Sequence, residues 1–201
     1  MTEMHAAHAM DLSPVTLTGP RVRLEPLTLD HLDALCAVGI DEEIWRYTTT
    51  RVRNNDDMRR YIETALQCQR DGTAVPFATA DRASGRVVGT TRFANIVKEH
   101  RRAEIGWTWI ARDFQRTYVN TEAKYLMLRH AFEEWGLCRV ELKTSSLNTR
   151  SRDAILRLGA VEEGTLRKHM VNEDGSARHS VYFSIIDTEW PAVKARLERK
   201  L

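Results

Sequence analysis

The stretch Asp113–Leu126, "DFQRTYVNTEAKYL", decides how this chain is read. It follows an apolar, strand-like run, "AEIGWTWIA" (103–111), and opens a helical run that continues to Gly136. Hydrogen-bonding residues therefore stand at a helix start, where the first N–H groups lack partners and the helix dipole favours an anion. Such a junction suits a diphosphate. Phosphate-cradling loops lean on glycine for close backbone approach, and this stretch contains none. The competing reading is a polar connection capped by Thr121.

The flanks give the stretch its place. Downstream, "CRVELKTSS" reads as a strand and "LNTRSRDAILRLG" as a helix capped by Asn148 and ended by Gly159. A strand, helix, strand order implies one parallel crossover. "AVEEGTLRKHMVN", the turn "EDGSA" and "RHSVYFSIID" form a final hairpin, and Trp190–Leu201 a terminal helix with Pro191 in its first turn. Upstream, "GPRVRLEPL" alternates as a half-buried strand. "TLDHLDALCAVG" is a short helix from Thr28 to Gly39, "DEEIWRYTTTRVRN" a loop or broken helical turn, and "NDDMRRYIETALQCQRDG" a helix capped by Asn55. "AVPFATAD", "RVVGTTRFANIV" and "AEIGWTWIA", joined by short turns, predict an antiparallel meander.

The order β α α β β β α β α β β α gives an α+β fold in one domain, residues 19–201, behind a flexible tail over residues 1–18. His5 and His8 fall in that tail and are read as part of it, not as a metal site. At 201 residues the chain holds one well-cored domain; apolar residues are 42% and charged residues 29%, the balance of an ordinary globular protein. No apolar run approaches the roughly 20 residues of a membrane span, and no secretory signal opens the chain. A net charge of +2 without a basic stripe gives no ground for nucleic acid as a partner. Three separated cysteines without CxxC exclude an evident zinc or disulfide framework and fit a reducing cytoplasm.

Taken in order, "VRLEPL", "EIWRY", "VVGTTRF", "AEIGWTWI", "QRTYVNTEAKYLMLRHAFEEWG", "RVELKTSSLNTRSRDAILRLGAVEEGTLRKHM" and "VYFSII" resemble the GNAT superfamily of acyl-CoA N-acyltransferases, in its RimJ/RimL-like branch. The resemblance covers most of Pro20–Asp187. It implies a GNAT fold: a mixed, mostly antiparallel sheet of about seven strands, flanked by helices, with the fourth and fifth strands splayed. It also implies acetyl-CoA as cosubstrate, an amine acceptor such as a peptide N-terminus or small amine, no metal, a cytoplasmic location and often a homodimer. A non-catalytic acyl-CoA sensor of the same fold is the alternative.

The family's diphosphate loop follows Q/R-x-x-G-x-G/A. Gln115, Arg116, Thr117, Tyr118, Val119 and Asn120 occupy its six places, with Thr121 following. Tyr118 departs from the pattern; Asn120, which tolerates left-handed backbone, is expected to supply the permissive position, and Arg116 and Thr117 extra donors. The resemblance sets pantetheine against the main chain of Trp109, Ile110 and Ala111, where a β-bulge would turn the backbone toward ligand. It makes Glu104 the base that takes a proton from the acceptor ammonium; strand alternation puts Glu104 with Gly106 and Thr108, opposite Trp107 and Trp109. A structural ion pair with Arg101 or Arg102 is the other reading of Glu104. The resemblance also implies, through an N-x-x-S pattern at this helix start, Asn148 as a cofactor contact and Ser151 as proton donor to the leaving thiolate; read from the residues alone, both are capping residues. Trp45, Tyr47, His179 and Tyr182 are the expected acceptor contacts.

Overall fold

In "VRLEP", Val22 and Leu24 are fully buried while Arg23 faces solvent, the half-buried strand that its alternation predicts. The same logic builds the sheet in the computed structural model, which describes residues 10–201; His5 and His8 lie outside the described residues. Among these, eight strands form one sheet: β1 (Leu17–Thr18), β2 (Val22–Pro26), β3 (Ala74–Asp81), β4 (Val87–Val97), β5 (Arg102–Ile110), β6 (Arg139–Ser145), β7 (Val161–Val171) and β8 (Ala177–Ile186). Their spatial order is β1-β2-β3-β4-β5-β6-β8-β7. Every neighbouring pair is antiparallel except β5 and β6, which are joined by the expected crossover.

Ordered structure starts ahead of residue 19. Leu17–Thr18 pairs with β2, and Met10, Leu12 and Val15 pack on the core. Apolar side chains in this segment gain more from burial than the ordering of a few residues costs.

Among the described residues six α-helices cover the sheet: α1 (Leu32–Gly39), α2 (Glu42–Trp45), α3 (Asn55–Arg70), α4 (Tyr118–Arg129), α5 (Thr149–Leu158) and α6 (Trp190–Glu198). The segment expected as a loop or broken turn holds α2, whose start is capped by the Asp41 side chain on the Glu43 amide. The cap of α3 is Asn54, not Asn55; its side chain accepts from the Asp57 amide at 2.9 Å.

Two apolar layers form. On one face α1, α2 and α3 bury Leu35, Trp45, Met58 and Ile62 with Ala78 and Trp109. On the other, α4 and α6 cover Phe77, Phe93, Val140 and Phe183. α4 is buried nearly all round, and its Glu122 reaches β2 from inside the core. There it accepts from the Arg21 and Val22 amides at 2.8 and 2.9 Å and from the Arg21 guanidinium at 3.3 Å. These bonds compensate the desolvation of a buried carboxylate and lock α4 to the sheet edge.

Candidate active site

β5 and β6 pair only at Arg102↔Arg139, Ala103↔Val140 and Glu104↔Glu141. Beyond Glu104 the strands part, leaving Ile105–Ile110 and Leu142–Ser145 without partners across the gap. This is the expected splay of the fourth and fifth strands, counted here as β5 and β6 because β1 adds a strand. A cavity of about 320 Å³ occupies the gap and extends past the starts of α4 and α5.

A bulge helps β5 leave its neighbour. Its pairing with β4 shifts between Arg92↔Gly106 and Thr90↔Trp109, and Trp107 carries φ +49°. A bulky residue held in that region costs on the order of 1–3 kcal/mol, and a bulge bends and twists its strand. It also reverses the side-chain alternation. Trp109 is buried against Trp45, ring centroids 5.5 Å apart, whereas Trp107 is 41% exposed. Thr108 turns to the α4 side, where its hydroxyl meets Thr91 at 2.8 Å. Trp107 and Trp109 do share a side, since Arg92 lies over the Trp107 and Tyr61 rings and Trp45 packs on both Tyr61 and Trp109. What the bulge corrects is the expected sharing of a face by Thr108 and Glu104 and the placing of the tryptophans opposite Glu104, whose partner Lys143 lies over Trp107.

The loop into α4 also differs from its expected form. Thr117, not Thr121, is the N-cap; its hydroxyl accepts from the Val119 amide at 3.3 Å. Asn120 thus stands in the first helical turn with ordinary dihedrals, and the left-handed residue is Arg116, φ +63°. The permissive position is borne by an arginine ahead of the helix, not by Asn120. Tyr118 points away from the cavity. Its hydroxyl donates to Asp81 and the Arg21 guanidinium lies 4.2 Å from its ring centroid. Ser84 and then Tyr118, as hydrogen-bond donors, hold the Asp81 carboxyl below the ordinary range. Gln115 ties the loop down: its amide donates to the Ile110 carbonyl at 2.9 Å and its oxygen accepts from Arg150 at 2.7 Å.

What remains at this mouth suits an anion. The first-turn amides of α4 have no helical partners, Thr117, Asn120 and Thr121 line the cavity, and Arg116, Arg150 and Arg157 border it. Asn148 caps α5 by accepting from the Ser151 amide at 3.1 Å, a contact worth about 1 kcal/mol. Both residues also line the cavity.

Glu104 sits at the fork, 2% exposed. Its Oε2 accepts from Asn95 at 2.9 Å and pairs with Lys143 at 3.2 Å; neither Arg101 nor Arg102 is its partner, since Arg102 pairs with Glu141. Oε1 lies above Gly106, where a Cβ would stand 3.0 Å from it, and has no hydrogen bond among the described residues. Oε2 anchors the carboxylate, and Oε1 is left without a partner in a residue that lines the cavity.

A family model described as an acetyltransferase (GNAT) domain matches residues 21–161. The chain belongs to the GNAT acetyltransferase family. Bacillus subtilis YdaF, a ribosomal N-acetyltransferase by provisional name, is 34% identical over 110 residues, 55% of this chain and 59% of that protein, so the alignment spans less than two thirds of YdaF. A crystal structure from T. thermophilus, an acetyltransferase by provisional name, is 37% identical over 94% of this chain and 97% of its own, with a TM-score of 0.86. Mycobacterium smegmatis RimJ, solved with CoA-disulfide, shares the fold at a TM-score of 0.80 and 24% identity, covering 94% and 96% of the two chains. YdaF is thus similar in sequence over part of its length, and RimJ is similar in fold.

Within this GNAT domain the expected residues separate into two groups. Glu104, Trp109, Ile110, Gln115, Arg116, Thr117, Asn120, Thr121, Asn148, Ser151, Trp45 and Tyr47 all line the one cavity. Trp45 is its floor, since its indole N–H donates to the Gly39 carbonyl at 2.7 Å and its ring packs on Tyr61. Tyr118 and Val119 face inward to the protein, and the Ala111 amide is committed to the Val88 carbonyl at 2.7 Å. His179 and Tyr182 stay on the β7–β8 hairpin. His179 accepts from the Lys168 amide at 3.3 Å, and Tyr182 packs edge-on to His169.

Lys124, Lys143 and Arg178 line the cavity without having been singled out in the sequence. Lys124 is wholly buried, its amine bound only to the Thr91 and Thr108 hydroxyls, and burial lowers its pKa from 10.5 to about 7. A lone lysine in the otherwise apolar run "AKYLML" was the available signal. Lys143 and Arg178 reach the site by strand pairing and carried no local signal.

Proposed function

We infer that this protein is an acetyl-CoA-dependent N-acetyltransferase that moves an acetyl group directly to a primary amine. The observation that carries the reading is Glu104, a buried carboxylate that lines the cavity between β5 and β6 and has one oxygen without a partner among the described residues. The CoA diphosphate would take the α4 start, where unpaired amides and Arg116 favour it, and pantetheine would lie along the free edge of β5. Support for CoA also comes from RimJ, a protein of the same fold solved with CoA-disulfide.

In this reading, a proton passes from the acceptor ammonium to Glu104 Oε1, because only the neutral amine attacks. The nitrogen lone pair forms the C–N bond at the thioester carbonyl, the C–S bond breaks as the tetrahedral intermediate collapses, and the sulfur leaves as thiolate. Ser151, which lines the cavity, donates a hydrogen bond to that sulfur; the second proton lost by the attacking nitrogen passes to solvent, and Glu104 then releases its own proton to solvent. Lys143 and Asn95 keep Glu104 aimed.

The test is Glu104→Gln, which preserves shape while removing the base. Turnover against a panel of amines should fall by roughly two orders of magnitude, with acetyl-CoA affinity retained. Normal turnover of the variant across pH 6 to 8 eliminates Glu104 as base. Acetyl-CoA binding by the wild-type protein without CoA release across the panel favours a sensor instead.

A further inference from the structure

The cavity is unevenly charged. Among the described residues Glu104 is the single carboxylate lining it, against six basic residues: Arg116, Lys124, Lys143, Arg150, Arg157 and Arg178. Arg116 and Arg150 lie at the helix-start end, where CoA phosphates account for them, and Arg157 is solvent-exposed in the last turn of α5. Lys124 is held by hydroxyls, and Lys143 pairs with Glu104 at 3.2 Å. Arg178 is left over.

Arg178 projects from β8 beside Tyr47, to whose carbonyl it donates at 3.1 Å. That is a neutral acceptor. No carboxylate pairs with its guanidinium among the described residues, and its Nε is buried with no hydrogen-bond partner. The nearby charge that acts on it is Glu104, already engaged by Lys143. A second cation stands behind the cavity wall: Arg92 is 4% exposed, its guanidinium 5.0 Å from the Trp107 ring centroid and 5.3 Å from that of Tyr61. Its contacts there are aromatic faces, not an acid. A buried guanidinium without an anion is unfavourable, and its fork of donors matches a carboxylate in shape as well as charge.

We propose that the amine acceptor carries a carboxylate close to its amine and that Arg178 binds it, with Arg92 adding positive field from behind Trp107 and Tyr61. The amine then meets Glu104 while the acid meets Arg178, so the two charges of the acceptor are read at the two sides of the gap. Polycationic amines are disfavoured by the same field. The proposal rests on the transferase reading and specifies its acceptor class, an amino acid or a peptide whose acidic residue follows the amine directly. Arg178 acts here as a specificity-determining residue.

The experiment measures binding of products to the CoA-loaded wild-type protein, so that it does not depend on turnover. N-acetyl derivatives of the common amino acids are titrated beside their carboxamides, and acetyl-Ala-Asp-amide beside acetyl-Ala-Asn-amide. At least one acid should bind roughly tenfold or more tighter than its amide partner, and which pair shows it separates the free amino acid from the peptide. Arg178→Gln should abolish that preference and Arg178→Lys should keep part of it. Equal binding of acids and amides throughout, tighter binding of spermidine derivatives, or an intact acid preference in Arg178→Gln overturns the proposal. Failure of CoA itself to bind is a separate result, and sinks the transferase reading with the proposal that stands on it.

Discussion

Replacing Lys124 by methionine should change not only the stability of the protein but how that stability depends on pH. The amine is wholly buried among Thr91 and Thr108 hydroxyls, and desolvation lowers its pKa from 10.5 to about 7. At about 1.4 kcal/mol for each pH unit separating the folded and unfolded values, the buried ammonium costs the fold roughly 5 kcal/mol. Below pH 7 the lysine is protonated in both states, so the cost is complete and constant. Between pH 7 and 10.5 the folded chain has released a proton that the unfolded chain still binds, and stability rises with pH. Urea unfolding of the wild-type protein and Lys124→Met at pH 6, 7, 8 and 9 isolates the effect, because contributions from other groups cancel in the difference. Wild-type stability relative to Lys124→Met should be nearly constant below pH 6.5 and gain roughly 2–3 kcal/mol by pH 9. A difference that does not move between pH 6 and 9 refutes the reasoning.

Three further outcomes follow from the geometry. Tyr118→Phe removes the hydroxyl that donates to Asp81 and should cost about 1.5–3 kcal/mol in denaturant unfolding, with acetyl-CoA affinity unchanged in a titration because the side chain faces away from the cavity. Gly106→Ala sets a Cβ 3.0 Å from Glu104 Oε1; steady-state kinetics should record a lower kcat, with a melting temperature close to that of the wild type. Glu122→Ala leaves the Arg21 and Val22 amides without their acceptor and should destabilise the protein by about 2–5 kcal/mol, read from chemical denaturation.

Much of the frame is legible in local chemistry. Asn148 and Gly159 announce α5 because a cap and a left-handed stop act within a few residues of themselves. The crossover through α4 follows from the order of elements. Other features depend on partners distant in sequence. The bulge at Trp107 arises from pairing with β4, so strict alternation misplaces Thr108 and Trp109 relative to Glu104. Tyr118 is held by Asp81 at the end of β3 and Arg21 just ahead of β2, partners distant in sequence. Arg178 comes to the site because β8 lies beside β6, a neighbour relation that no local motif encodes. For the loop itself, the positive dihedral at Arg116 replaces the expected freedom at Asn120; side-chain anchors at Gln115, Thr117 and Tyr118 set a shape that glycine would otherwise permit.

The parting of β5 and β6 also bears on the mechanics of the molecule. Among the described residues three ladder pairs, with the Cys138 amide bonded to the Arg101 carbonyl just ahead of them, form the backbone seam between the five strands on one side and the three on the other. Bending stiffness in a sheet comes from continuous hydrogen bonding across it, and here the continuity stops at Glu104. A molecule that hydrogen-bonds both lips of the gap becomes a spar between two plates, so its arrival should slow amide hydrogen exchange on strands it never touches. Occupancy of the site would then be readable at the far edges of the sheet.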